Sequence, residues 1–231
     1  MMITEENCFY PDPIIYFDPH SIGLTREDIW VEDRLHAWFI QPRKECAHPA
    51  TIVQLHGNAE NMTSHIMGAL FFLEMGHRLL TFDYGGYGQS KGAPTLIGIQ
   101  NDARAEFKVV FDHVERFGGT IFGFGQSMGG FTLARILPDI PALRGAILDS
   151  ALYSFHDLFR AAYPQVPCRV PPISSLETLP LSPVPKLFIQ RVGRHEQSPL
   201  HRRPGRGNAR MRRGRHTDDE RHGHHPNVRH R

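Results

Sequence analysis

Thr120-Ile121-Phe122-Gly123-Phe124-Gly125-Gln126-Ser127-Met128-Gly129-Gly130-Phe131-Thr132-Leu133-Ala134-Arg135-Ile136-Leu137 changes its hydrophobic period halfway along. Residues 120–124 are β-branched and aromatic and read as a buried strand, whereas the apolar side chains of 131–137 recur at helical spacing. Ser127 falls at the junction, where the chain must pass from strand to helix within a few residues. A turn that tight predicts a positive φ at the serine and crowds the positions two before and two after it, so both must be nearly free of side chain. Gly125 and Gly129 stand there. The same turn lifts the Ser127 hydroxyl clear of the sheet, aims the Met128 amide at a bound oxygen, and points a helix N-terminus at developing negative charge. Ser127 therefore reads as a candidate nucleophile, against the plainer alternative of a glycine-rich turn without chemistry.

Two further segments end apolar runs in the same way. His56-Gly57-Asn58-Ala59 follows the run Thr51 to Leu55. Acyl transfer needs two backbone donors on the tetrahedral oxyanion, one just after the nucleophile and one from the loop leaving a neighbouring strand. Asn58 is the candidate for that second amide, with Met128 as the first, and the side chain of His56 reads as a structural histidine bonded to its own loop. Phe82-Asp83-Tyr84-Gly85-Gly86-Tyr87-Gly88-Gln89-Ser90-Lys91-Gly92 follows the run Arg78 to Thr81.

Taken in order, the motifs HGNAEN (56–61), FDYGGYGQSKG (82–92) and GQSMGG (125–130) make the chain resemble the α/β-hydrolase superfamily, in particular its alpha/beta hydrolase domain proteins. The resemblance covers about residues 28 to 189. It implies an α/β-hydrolase fold and a serine hydrolase acting on a carboxylic ester, thioester or amide through an acyl-enzyme on Ser127, with no cofactor and no metal. Such relatives carry arginine where Gly85 stands here, so the resemblance also implies a softened wall at that loop.

The coarse pattern agrees. An antiparallel pair is predicted near Asp28–Val31 and Leu35–Ile40, the second half-exposed because Leu35, Ala37 and Phe39 alternate. Strands follow at 51–55, 78–82, 120–124, 145–148 and 186–189, alternating with helices at 62–75, 96–117 (capped by Thr95), 128–137 and 153–162. Strands alternating with helices predict a mostly parallel sheet with helices on both faces and ligands at the carboxyl ends of its strands, where all three motifs lie. Gly123, Gly125 and Gly129 do not make a dinucleotide loop, because Met128 occupies the third glycine position of that motif, and the absence of Gly-Lys-Ser/Thr excludes a phosphate-binding P-loop.

The domain reading is an N-terminal extension over 1–27, a core over 28–189, and an Arg/His-rich tail over 190–231. Within the core, 151–185 reads as the lid region. Seven prolines between 164 and 185 exclude a regular helix or central strand there, and lid and passive linker are equally open. Of 26 Lys and Arg and 24 Asp and Glu, 12 and 4 follow Ile189, leaving about −6 on the body and +8 on the tail. All 12 tail cations are arginine and seven of the 15 histidines lie there, so the tail cannot build a core and is expected to be disordered.

The triad is where the pattern breaks, since a serine nucleophile needs an acid and a histidine arriving later in the chain. The resemblance places the acid in a loop after the strand at 186–189, where this chain reads Gln190-Arg191-Val192-Gly193-Arg194-His195-Glu196. The abrupt change reads as a shift of reading frame near Gln190, which would remove the acid, the base and the last strand and helix of the fold. Asp149, at the end of the strand 145–148, is the candidate substitute acid, against the plainer reading of a carboxylate that caps the loop before Ser150 and Tyr153; His195, His201 and His216 are in the right half of the chain for a base, with none singled out.

Other function classes remain open beside the hydrolase. One is a catalytically impaired or silent hydrolase-fold protein. Another is polyanion binding through the arginine-rich tail, although the tail lacks aromatic interleaving and no nucleic-acid partner is expected. His222, His224 and His225 lack an evident fourth ligand for a structural metal site. The expected partner is a small-molecule ester or amide. Cys8, Cys46 and Cys168 read as reduced thiols, the first residues are acidic, and no apolar run approaches the length of a membrane span, so a cytoplasmic location is expected.

Overall fold

The structure, a computed structural model, describes residues 2–190. Its main sheet comprises β2 (Thr25–Val31), β3 (Leu35–Gln41), β4 (Thr51–Leu55), β6 (Arg78–Phe82), β7 (Ile121–Gln126), β8 (Gly145–Asp149) and β9 (Lys186–Ile189). They lie in the order β2-β3-β6-β4-β7-β8-β9. β3 runs antiparallel to β2 and β6, and every pairing from β6 to β9 is parallel. A small second sheet pairs β1 (Tyr10–Pro11) with β5 (Ala59–Glu60).

Helices cover both faces, as the alternating pattern predicts. On one face α1 (Met62–His65) and α2 (Leu70–Glu74) close a cluster in which Met62, Ile66 and Phe72 meet Trp38, Ile52, Leu79 and Phe124. On the other, α3 (Leu96–Asp112) and α5 (Met128–Ile136) pack Ile99, Phe107, Phe131 and Leu133 onto Val53, Leu80 and Leu148. Short helices α4 (Val114–Phe117) and α6 (Phe155–Ala162) complete the set. The arrangement is the α/β-hydrolase fold. No element follows β9 among the described residues; the expected loss of a last strand and helix concerns residues outside them.

Several expectations need correction. β3 is not half-exposed: residues 35–40 are all buried, because Ala37 and Phe39 face one core layer while Trp38 and Ile40 face the other. The helix expected at 62–75 is broken by a 3₁₀ turn at Ile66–Gly68. The buried Gln54 side chain donates to the His65 carbonyl at 2.9 Å, and the Ala69 amide, which that carbonyl would take in a continuous helix, bonds Ile66 O instead at 2.8 Å. The helix expected to reach 117 turns at His113 (φ −120°), which lets Phe117 bury edge-on against Phe39 with centroids 4.9 Å apart. Thr95 caps α3 as predicted, accepting from Gly98 N at 2.8 Å.

Residues 2–27, set apart as an extension in the sequence, are packed into the fold. Ile3, Cys8 and Phe9 belong to the main core cluster. Ile3 bridges the proline-rich segment in both directions, donating to Pro167 O and accepting from Arg169 N. That segment is in turn tied to α5, because Thr178 Oγ1 donates to Ala134 O and Arg135 donates to Ser174 O. Phe9 lies 6.1 Å from Phe155 and is 7% exposed. Phe9→Ala is therefore expected to lower unfolding stability by about 3 kcal/mol, read as a lower denaturant midpoint; an unchanged midpoint would show the segment to be ornamental.

Candidate active site

β7 delivers Ser127 to the carboxyl edge of the sheet, between β4 and β8. The turn is as tight as the motif requires. Ser127 has φ 53° and ψ −111°, its amide donates to Asp149 O at 2.9 Å, and its carbonyl accepts from Phe131 N as α5 begins. Its residue is half-buried. A Cβ on Gly125 would come within 2.5 Å of Gly129 O, and one on Gly129 within 1.9 Å of Leu55 O and 2.7 Å of His56 O. The N-terminus of α5 thus lies backbone to backbone on the exit of β4, which brings the Met128 amide to the same end of the sheet as the loop holding Asn58.

That loop is held from three sides. Asn58 Oδ1 accepts from Tyr87 Oη at 2.8 Å and from Tyr10 N at 3.1 Å, and Asn58 Nδ2 donates to Cys8 O at 2.5 Å. Asn61, in the same motif, donates to Asp12 O and Ile14 O and accepts from Thr63 N to cap α1. Both asparagines therefore clamp the N-terminal segment. Neither Tyr87 nor residues 8–10 were singled out in the sequence. The available signal was a tyrosine in a glycine-rich loop, whose hydroxyl needs a partner once buried.

Beneath the loop lies a buried pair. His56 Nδ1 approaches Gly57 O at 2.7 Å, and since a carbonyl only accepts, Nδ1 carries the proton. This is the structural role read for His56. The bare Nε2 faces Asp83 Oδ1 at 3.4 Å, and Oδ1 also accepts from Met62 N. Burial, then the nearby His65, lowers the His56 imidazole to about 3. Burial pushes the Asp83 carboxyl up to about 7 despite the amides of Met62 and Gln89. Burial thus disfavours charge on both groups, which face one another 3.4 Å apart without a hydrogen bond to Nε2.

On the far wall of the site Gly85 does not leave a soft loop. Its amide donates to Asp102 Oδ2 at 2.8 Å, and Arg34 pairs with Asp102 Oδ1 at 2.8 Å from the position a Gly85 side chain would otherwise contact. Arg34 braces the loop in place of the arginine implied at 85.

Asp149 ends β8 beside the elbow. Its carboxylate accepts from Gln126 Nε2 at 3.2 Å and Ser150 Oγ at 3.0 Å. Among the described residues no histidine bonds to Asp149 or to Ser127. The half-buried His65 comes nearest in the network, with Nδ1 3.5 Å from Gln126 Oε1 and Nε2 2.9 Å from Ala59 O. Arg194, His195, Glu196, His201 and His216, and the His222, His224, His225 cluster, lie outside the described residues. Among the described residues no group of three His, Cys, Asp or Glu is arranged to hold a metal, and no helix is long and apolar enough to cross a membrane. Beside α5, a cleft of about 110 Å³ is lined by Ala134, Leu148, Leu152, Leu179 and Phe188.

Comparison with known proteins agrees with this architecture. The family model described as serine aminopeptidase, S33 matches residues 47–199. The uncharacterized protein YfhR of Escherichia coli is 30% identical over 197 residues, covering 81% of this chain and 68% of that protein. The alpha/beta hydrolase domain-containing protein WAV2 of Arabidopsis thaliana is 32% identical over 146 residues, covering 61% and 47%. Among solved structures, a Pyrococcus furiosus esterase superposes with a TM-score of 0.63 at 20% identity, covering 78% of this chain and 76% of that one. An alpha-beta hydrolase from Vibrio vulnificus gives 0.62 at 21%, covering 74% and 65%. At such identities the structural likeness shows the fold alone.

The buried pair generates a pH prediction. Between the ordinary values of 3.8 for Asp and 6.5 for His, the unfolded chain holds one proton on the two groups, on His56. The folded pair also holds one, on Asp83, so it contributes no pH dependence in that window. Asp83→Asn leaves a lone histidine whose folded value is depressed; its contribution is full above about pH 6.5 and is lost as the pH falls toward 3. Urea unfolding of Asp83→Asn is expected to gain a slope of about 1.4 kcal/mol per pH unit between pH 4 and 6 relative to the parent. Parallel pH profiles for the two proteins would refute the opposed shifts of the two groups.

Proposed function

Because the chain belongs to the serine aminopeptidase S33 family of α/β-hydrolases, and hydrolysis is the chemistry of that family, we propose that it cleaves a carboxylic ester, thioester or amide through an acyl-enzyme on Ser127. Ser127 Oγ attacks the carbonyl carbon, and the amides of Met128 and Asn58 hold the oxyanion that forms. Collapse of the tetrahedral intermediate expels the alcohol, thiol or amine, and water then hydrolyses the acyl-enzyme. The observation that carries this reading is the positive φ of Ser127 at a strand-to-helix junction whose helix lies against the β4 exit. A non-glycine residue there costs about 1–3 kcal/mol, and such strain clusters at functional sites.

Asp149 is the proposed acid, since its backbone already holds the Ser127 amide and its carboxylate has room for another donor. The general base is assigned to no described residue. That absence supports a second reading, a hydrolase-fold protein with impaired turnover, in which the oxyanion loop is intact and proton transfer is slow. The domain division is likewise proposed, with 28–189 as the catalytic body, joined by the N-terminal segment, and 164–185 as a pinned wall beside the small apolar cleft. The arginine-rich tail is left with the polyanion reading, whose support is its charge alone.

The test is hydrolysis of p-nitrophenyl acetate and butyrate by the purified chain beside Ser127→Ala, with labelling by a fluorophosphonate probe. Turnover well above the variant's is expected, with the label on Ser127. Labelling without turnover supports the impaired reading. Equal rates, with no label on Ser127, would remove Ser127 from any catalytic role.

A further inference from the structure

Resting on that reading of the oxyanion loop, we propose that Tyr87 is its positioning residue, the hydroxyl locking Asn58 against the start of α5 so that the Asn58 and Met128 amides converge. Tyr87 is fully buried, and its ring lies between the two loops, 5.1 Å from the His56 ring centroid. The hydroxyl has one proton and gives it to Asn58 Oδ1 at 2.8 Å; its 4.0 Å approach to Met128 Sδ is packing against the other donor's residue. Tyr87 therefore touches both residues whose amides are assigned to the oxyanion.

The rest of the clamp comes from a different part of the chain. Tyr10 N shares Asn58 Oδ1, and Cys8 O takes the Asn58 Nδ2 proton. The strand pair Tyr10–Ala59 and Pro11–Glu60 continues the contact along the backbone, and Gly88, next to Tyr87, donates to Asp12 O. Asn58 thus makes three side-chain bonds that tie its loop to Tyr87 and to the N-terminal segment. An oxyanion donor is effective only when aimed where charge develops, within fractions of an ångström. Burial raises the Tyr87 hydroxyl well above its ordinary value, so it remains a donor at any working pH.

Tyr87→Phe removes the one bond and little else. The ring stays in its slot, no donor is left unsatisfied, and Asn58 Oδ1 keeps Tyr10 N as a partner. The expected result is a fall in kcat and kcat/KM of about tenfold with KM unchanged, the signature of an interaction felt in the transition state, with a thermal midpoint near the parent's. Ser127→Ala is measured alongside. If Ser127→Ala is inactive and Tyr87→Phe matches the parent, the positioning role falls while the hydrolase reading stands. If Ser127→Ala is as active as the parent, the hydrolase reading itself falls. Amide hydrogen exchange across residues 56–60 reads the clamp without turnover: faster exchange confined to that loop in Tyr87→Phe is expected, and unchanged exchange overturns the inference.

Discussion

The contact between Gly129 and the carbonyls of Leu55 and His56 governs the rest of the site. No Cβ fits at 129, none fits at 125 against Gly129 O, and one at Gly130 would strike the Ala151 side chain at 2.5 Å. Three glycines therefore let α5 settle onto the end of the sheet with nothing between the backbones. Each costs about 0.5–1 kcal/mol relative to alanine in regular structure, and the positive φ of Ser127 adds a similar or larger amount. Burial of Phe131, Leu133 and Ile136, each fully or nearly removed from water, contributes about 1.5–3 kcal/mol apiece. The helix is held down by its own apolar face, and the strain is concentrated at the residue that faces the proposed substrate.

Beneath and beside this junction the protein keeps polar groups neutral where it cannot pair them. Burial disfavours charge on both His56 and Asp83. On α3, Glu106 is buried with both carboxylate oxygens unpartnered, and burial, reinforced by Asp102, raises its carboxyl far above the usual range. Burial thus favours the neutral acid at Glu106 inside the apolar layer. Asp102, one turn earlier, has a cation and an amide, and no pair is available for both acids. The loop carrying Gly85 and Tyr87 is fixed by the hydrogen bonds of Gly85 and Tyr87 together with the Arg34–Asp102 ion pair.

The parallel strands were legible in the sequence because each is a short apolar run ended by glycine or a polar turn, the central ones buried on both faces and Lys186–Ile189 exposed at the edge. Thr51–Leu55, Arg78–Phe82 and Lys186–Ile189 match to the residue. The elbow was legible for a different reason: positive φ and close backbone approach restrict which residues can stand there, and glycine spacing records that restriction. What could not be read was anything fixed by contacts between distant segments. Ile3, Cys8 and Phe9 have no periodicity, and their anchorage runs through main-chain groups to Asn58, Asn61 and Pro167, which leave no trace in residue spacing. The break near Ile66 has the same origin, since it depends on a glutamine from β4. Arg34 escaped notice because it approaches Asp102 from the β2–β3 turn, far from the motif it braces.

The site divides into two halves with different structural foundations. The half that would bind a tetrahedral oxyanion rests on β4, β7, α5, Tyr87 and residues 8–10, joined by strand pairing, close backbone packing and the hydrogen bonds of Asn58. Of the half that would move protons, the described residues supply Asp149, whose neighbours are an amide and a hydroxyl. Serine hydrolases stripped of their triad keep a residual acceleration over water of about 10³–10⁴, supplied by the oxyanion donors and substrate binding. On the proposed reading, the rigidity of the Asn58 clamp therefore sets a floor under activity that does not depend on where the base comes from. Whatever group serves as base acts on a carbonyl already held by the first half, so the two contributions multiply, and a defect in either leaves the other measurable.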